Sequence, residues 1–397
     1  MKIHIDQTGF ICSLGNTTSE IYQNMCSGKD SFRPLYRFDT APYRQKIAGQ
    51  VSPKEEEILR KQFPDDDLTG AFIKIAGNQA LAEKRFASSK RTGIVLATNF
   101  GPLEYQEWLW QEKIDIGKVS IESQELLNQF NHTLCEYLNI AGPLAQISMS
   151  CASGGSALQI ARDMLERNRA DQVLVVAYDL ISEYSWCGLH NLHTITTDIM
   201  QPFDTKRSGT IFSEGAAALL VSRDDSPIAA QSPYFITGIT TNNNAQHLTA
   251  PLPMGEGSRR VMSAALHDAH LHPEQVEHIC AHATSTRAND KTEAEALNNL
   301  FGSHLAKITT AAHKSQLGHL LGAATLAETI ITLEAMKHSI IPPNLTLTEL
   351  DPDCKNIDSI PKQARYRKFN NAIINSAGIG GNNCAVILEK KMALRTI

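Results

Sequence analysis

No stretch of about 18 uninterrupted apolar residues occurs anywhere in the 397-residue chain, which excludes a membrane-spanning helix by hydropathy. The opening residues place Lys2, His4 and Asp6 among the apolar ones and so lack the unbroken core of a secretory signal. No CxxC spacing joins any of the eight cysteines (Cys12, Cys26, Cys135, Cys151, Cys187, Cys280, Cys354 and Cys384), which argues against a zinc site or a disulfide framework. Neither sign of charge dominates: a formal net charge of −5 gives no electrostatic reason for nucleic acid or an anionic membrane to be the main partner. These absences predict a cytoplasmic protein with reduced, mostly buried thiols and no membrane insertion.

What is present is an ordinary globular composition, with 42% apolar and 20% charged residues. The length exceeds what one hydrophobic core supports, so two domains or two packed halves are expected. Short β-branched runs alternate with helical patterns, the signature of a layered α/β fold. The strand candidates are Gly93–Ala97, Gln172–Ala177, Ala216–Val221, Glu277–Ala281, Asn371–Ser376 and Cys384–Leu388. Several are apolar throughout, as strands covered on both faces are. A helix with apolar positions Ala157, Ile160, Ala161, Met164 and Leu165 follows Cys151, and the span from Leu320 to Met336 is apolar on nearly every face. The order strand, small-residue helix, strand, strand occurs twice. It predicts two duplicated halves, 1–235 and 236–397, and no Pro, Ser or Gly-rich linker separates them.

Four segments carry candidate chemistry. In Ser-Met-Ser-Cys-Ala-Ser-Gly-Gly (148–155), Cys151 stands where a strand-like segment turns into a helix; the helix dipole there favours thiolate, and small neighbours admit a substrate. A structural cysteine beside a tightly packed helix fits the same segment. In AHATSTRANDKTEAEAL (281–297), His282 ends an apolar strand, where active sites of α/β sheets gather, and opens a hydroxyl-rich loop with Thr284, Ser285 and Thr286. In HKSQLGHLLGAATLAETI (313–330), Lys314 and His319 flank Gly318, and Glu328, inside an apolar helix, needs a partner that Lys314 can supply. In NSAGIGGNNCAVILE (375–389), the glycines around Ile379 allow a backbone that aims N–H groups at a ligand; a strand follows, unlike a phosphate-binding GxGxxG turn.

Together with PFDTKRSGTIFSEGAA (202–217), these segments occur in the order found in elongating β-ketoacyl-carrier-protein synthases of the thiolase-like superfamily, which the chain resembles over nearly its whole length. The resemblance implies a five-layered αβαβα fold and decarboxylative condensation of an acyl chain with malonyl-carrier protein. It implies Cys151 as nucleophile, His282, His319 and Lys314 as catalytic partners, Glu328 as support for Lys314, and the backbone N–H groups of Cys151 and Ile379 as oxyanion hole. It further implies pantetheine contacts from Thr284 and Thr286, and a gating loop of Gly378, Ile379, Gly380 and Gly381. No metal or permanent cofactor is implied; phosphopantetheine arrives on acyl carrier protein. Dimerisation follows as well, with itself or with a related subunit lacking the cysteine. Two other readings are a thiolase-type coenzyme A acyltransferase, which needs a second catalytic cysteine where only Cys384 stands, and a non-catalytic partner subunit.

The chain departs from that pattern in places. Ala283 replaces a glycine, which asks the backbone there to avoid positive φ. Ile379 replaces the gating aromatic. Asp65, Asp66 and Asp67 are acidic where relatives present basic residues to the carrier, so docking leans on Lys206 and Arg207. Phe100 replaces a smaller aliphatic at the far end of the acyl pocket, which predicts a shortened channel and a specialised polyene or type II polyketide pathway.

Overall fold

The computed structural model describes residues 1–81, 91–104, 107, 128–192, 194–223 and 232–391. Its core is an eleven-stranded sheet made of two leaves of matching design. In the first leaf, β1 (Ile3–Cys12) pairs antiparallel with β5 (Gly215–Arg223), β5 antiparallel with β4 (Gln172–Asp179), and β4 parallel with β2 (Thr92–Ala97), which is parallel to β3 (Leu144–Ile147). In the second, β6 (Tyr234–Asn243) pairs antiparallel with β11 (Asn382–Lys390), β11 antiparallel with β10 (Asn371–Gly378), and β10 parallel with β7 (His278–Cys280). Strands β8 (Thr309–Ala311) and β9 (Asp358–Ser359) extend this leaf in parallel. Among the described residues the leaves pair where Ile3 and His4 of β1 meet Ile236 and Phe235 of β6.

Two helices lie between the leaves. Helix α2 (Ser153–Glu166) packs on β4 and β2 and also on β6 and β11; α5 (Ala324–His338) packs on β10 and β11 and also on β5, β1 and β4. They touch each other as well. Helix α1 (Leu68–Leu81) covers the outer face of the first leaf, and α3 (Glu256–Asp268), with α4 (Arg287–Phe301) packed on it, that of the second. The layers therefore run αβαβα, as the resemblance implied.

The strands are apolar on both sides because both sides are covered. Val95, Ala97, Val173, Val175 and Ala217 face the middle layer, whereas Ile94, Leu96, Leu174, Val176 and Ala216 face the outer helix. Helix α5 has almost no polar side: every residue from Ala324 to Met336 is buried. All six strands expected from the sequence are present to within a few residues at either end. Strand β1 and its counterpart β6 were not anticipated. Among the described residues no helix is long and apolar enough to cross a membrane.

Candidate active site

Cys151 sits between β3 and α2 on a backbone bent by Ser150, whose φ is +53°. Ser153 holds the bend: its Oγ accepts the Met149 N–H at 2.8 Å and donates to Ser150 O at 2.6 Å. From the second leaf and α5, the hydroxyls of Ser376 and Thr325 both donate to Cys151 O, each at 2.8 Å. The Cys151 backbone is thus clamped from the second leaf and from α5.

His319 Nε2 lies 3.1 Å from Cys151 Sγ, and its Nδ1 accepts the Leu321 N–H at 3.1 Å. That acceptance leaves the proton on Nε2, so the imidazole donates toward the sulfur. His282 stands perpendicular to His319, ring centroids 5.4 Å apart, and its Nδ1 faces Lys314 Nζ at 3.4 Å. An ammonium only donates, so His282 also keeps its proton on Nε2. Lys314 is in turn held by the carboxylate of Glu328, both fully buried. One ligating atom from each of Cys151, His282 and His319 lies within 4.8 Å of the others. A soft cation would need the imidazole lone pairs at Nε2, which both tautomers fill with protons; the set suits an oxygen that is gaining negative charge better than a metal.

The electrostatics correct one expectation. The Cys151 thiol is not lowered but pushed up to about 12, because burial outweighs the pull of Lys314, while Asp179 and Glu328 add to the rise. His282 and His319 are driven well below the ordinary imidazole value by burial and by Lys314, so both stay neutral donors. Burial pushes Glu328 up to about 7 against the counter-pull of Lys314.

Ala283 is a second correction. It takes φ +46° rather than avoiding positive φ, because Glu293 grips the loop: Oε1 accepts the His282 N–H at 2.7 Å and Oε2 the Ala283 N–H at 2.8 Å. Asn375 Nδ2 steadies the same carboxylate at 2.7 Å. A matching device stands in the first leaf. Asp179, at the end of β4, accepts the Thr98 hydroxyl and the N–H groups of Asn99, Phe100 and Gly322 at 2.7–3.1 Å. Neither carboxylate was flagged from the sequence; the only signal was an acid ending an apolar strand and another inside a helix beside the His282 loop.

A cavity of about 420 Å³ leads to this cluster, lined by Cys151, His282, His319, Thr284, Thr286, Gly378, Ile379 and Gly381, among others. Thr284 and Thr286 share a hydrogen bond of 3.0 Å between their hydroxyls. Gly378 lies so close to Cys151 that a Cβ there would come within 3.0 Å of its N. The Ile379 turn is fastened: Gly380 N donates to Leu248 O at 2.7 Å, and Asn243 Nδ2 to Gly380 O at 2.8 Å. Phe100 does not line this cavity. It packs with the apolar cluster of Leu189, Phe212 and Leu321, three residues that do, and so stands behind the wall.

Two surface expectations also change. Arg207 is buried and held by Asp351 and the carbonyl of Asp204, which removes it from any docking surface, whereas Lys206 is exposed. Of the acidic run, Asp66 is paired with buried Lys74 at 2.6 Å and Asp67 caps α1 through the Gly70 N–H at 2.7 Å. Only Asp65 is left as a freely solvated acid.

Comparison with known proteins completes the identification. The families described as beta-ketoacyl synthase, N-terminal domain, and beta-ketoacyl synthase, C-terminal domain, match residues 2–226 and 234–348. The chain belongs to the beta-ketoacyl synthase family, and is accordingly a condensing acyltransferase of fatty-acid or polyketide synthesis. It is 27% identical to the 3-oxoacyl-[acyl-carrier-protein] synthase 2 of Coxiella burnetii and to that of a Synechocystis species, with 98% of each chain covered. Among solved structures, "The ishigamide ketosynthase/chain length factor" is similar at 25% identity and a TM-score of 0.87, covering 98% of this chain and 99% of that one. A type II polyketide ketosynthase solved with its acyl-carrier protein, at 23% identity and the same TM-score of 0.87, shares the fold over 98% of this chain and 99% of its own.

Proposed function

We propose that Cys151 accepts an acyl group from acyl carrier protein: its sulfur attacks the thioester carbon, the carrier's pantetheine sulfur leaves with the thiol proton, and a Cys151 thioester remains. The N–H groups of Cys151 and Ile379 hold the oxyanion of that step. Malonyl-carrier protein then enters, and the Nε2–H groups of His282 and His319 donate to its thioester carbonyl as CO₂ departs and an enolate forms. The enolate carbon attacks the Cys151 thioester, the Cys151 sulfur leaves as a thiolate and regains its proton from solvent, and a β-ketoacyl-carrier protein two carbons longer is released. Lys314 and Glu328 keep His282 in the donating tautomer. Thr284 and Thr286 hold the pantetheine arm, and the turn from Gly378 to Gly381 borders the acyl group. No resident cofactor enters these steps.

The observation that carries this reading is two imidazoles whose Nδ1 atoms face the Leu321 N–H and Lys314 Nζ, which leaves both Nε2 atoms to donate beside one cysteine at the end of a cavity. Cys384, buried in the middle layer against Gly155, does not supply the second cysteine of a thiolase. Intact-mass spectrometry tests the reading: after incubation with acyl-carrier proteins of varied chain, an acyl increment is expected on the native protein and none on Cys151→Ala. An unmodified native protein with every donor would turn the reading toward the non-catalytic partner role.

The finer assignments belong here too. The chain divides into halves 1–235 and 236–397, supported by the repeated strand order, although β6 of the second leaf already begins at Tyr234. It works in the cytoplasm, as a homodimer or beside a subunit lacking the cysteine, in a specialised polyene or polyketide pathway. The likeness to a ketosynthase/chain length factor pair supports the last two points. Phe100 shapes the acyl pocket from behind Leu189 and Phe212, and Phe100→Ala should lengthen the accepted chain.

A further inference from the structure

Among the described residues the cavity wall contains one permanently charged side chain, Arg287, and no Asp, Glu or Lys. Arg287 is exposed and follows Thr286 directly, so it stands at the solvent side of the pair assigned to pantetheine. Its position brings no structural return. As the first residue of α4 it places a cation at the positive end of a helix dipole, an unfavourable arrangement. Among the described residues its guanidinium makes no hydrogen bond and no ion pair. Asp351, the acid that feels its charge, is already committed to Arg207 and to the Asp353 N–H.

A lone cation at the mouth of a neutral cavity fits a ligand whose buried part is neutral and whose trailing end is anionic. We propose that Arg287 binds the phosphate at the outer end of the pantetheine arm, giving the site a polarity that draws the arm in thiol first. An arginine fork suits phosphate oxygens, and the contact is charge-assisted. The inference rests on the carrier-dependent reading above but concerns binding alone.

Its test is a pair of affinities, measured by calorimetry on the full chain with phosphopantetheine and with pantetheine, native against Arg287→Gln and Arg287→Lys. The native protein should prefer the phosphorylated arm, and Arg287→Gln should lose about tenfold of that preference. Arg287→Lys, keeping the charge without the fork, should fall between. Added salt should narrow the native preference. Equal weakening of both ligands, or an unchanged ratio, would overturn the assignment. Acyl-carrier protein replaces phosphopantetheine in a final arm, where the phosphate is a diester, and the same loss is expected if the carrier-borne arm is the source. Because no acyl transfer is needed, absence of acylation would sink the catalytic reading while the affinity ratio still decides the arginine.

Discussion

The two leaves present the same order of strands to one cavity and deliver unlike chemistry to it. In the first, Asp179 gathers the loop after β2, and α2 opens on Cys151. In the second, Glu293 gathers the loop after β7, and α5 is preceded by His319. Both gather backbone N–H groups with a buried carboxylate, so the scaffolding of the two loops is alike. What differs is the side chain left at the tip: a thiol in one leaf, two imidazoles and a lysine in the other. Strand order decides where a reactive group stands, and a few residues beyond the carboxyl ends decide what it is.

The comparison breaks most severely at the thiol. Cys151→Ala should lower acyl transfer by at least about 10³-fold while leaving the far-ultraviolet spectrum intact. On the second leaf, Lys314→Met strands Glu328 in the core and should cost about 3–5 kcal/mol in urea unfolding, with most of the loss recovered in the Lys314→Met, Glu328→Leu pair. His282→Ala removes a proton donor and should slow condensation by about 10²–10³-fold in single turnover, yet leave acylation of Cys151 far less affected. That contrast would separate the work of the two leaves.

The second leaf also carries a liability to acid in two buried histidines. Burial takes His278 and His313 down to about 3, and neither ring nitrogen of His313 has a hydrogen-bond partner among the described residues. The unfolded chain takes up these protons below about pH 6.5 and the folded chain refuses them, so stability is lost as pH falls from there toward 3. Replacing His313 with Gln should flatten urea-unfolding stability against pH by up to about 1.4 kcal/mol per pH unit across the acid range. The smallest effect concerns Ala283. Relief of its positive φ in Ala283→Gly should stabilise the protein by about 0.5–1 kcal/mol, read from the same unfolding curves.

Legibility in the sequence followed the range of the interactions. Cys151, His282, Lys314 and His319 stood out because each lies in a short, distinctive run of small or hydroxyl-bearing residues, although the contacts that join them are distant in sequence. Strand β1 was hidden because His4 and Asp6 resembled solvated polar residues; folded, both are buried and bonded to each other at 3.0 Å. Arg207 looked like a surface cation because the acid that buries it, Asp351, lies far along the chain. Asp179 was silent for the same reason, since its partners come from the segment after β2 and from Gly322. Ala283 misled because a glycine-like backbone was judged by residue type, whereas Glu293 supplies the restraint.

The buried, protonated state of Cys151 has a consequence for the life of the protein between turnovers. Thiolates, far more than thiols, attack peroxides and disulfides. A thiol held neutral in the lining of a buried cavity presents little of that form to small oxidants. Slow oxidation of Cys151 by dilute peroxide is the expected result, read by intact mass.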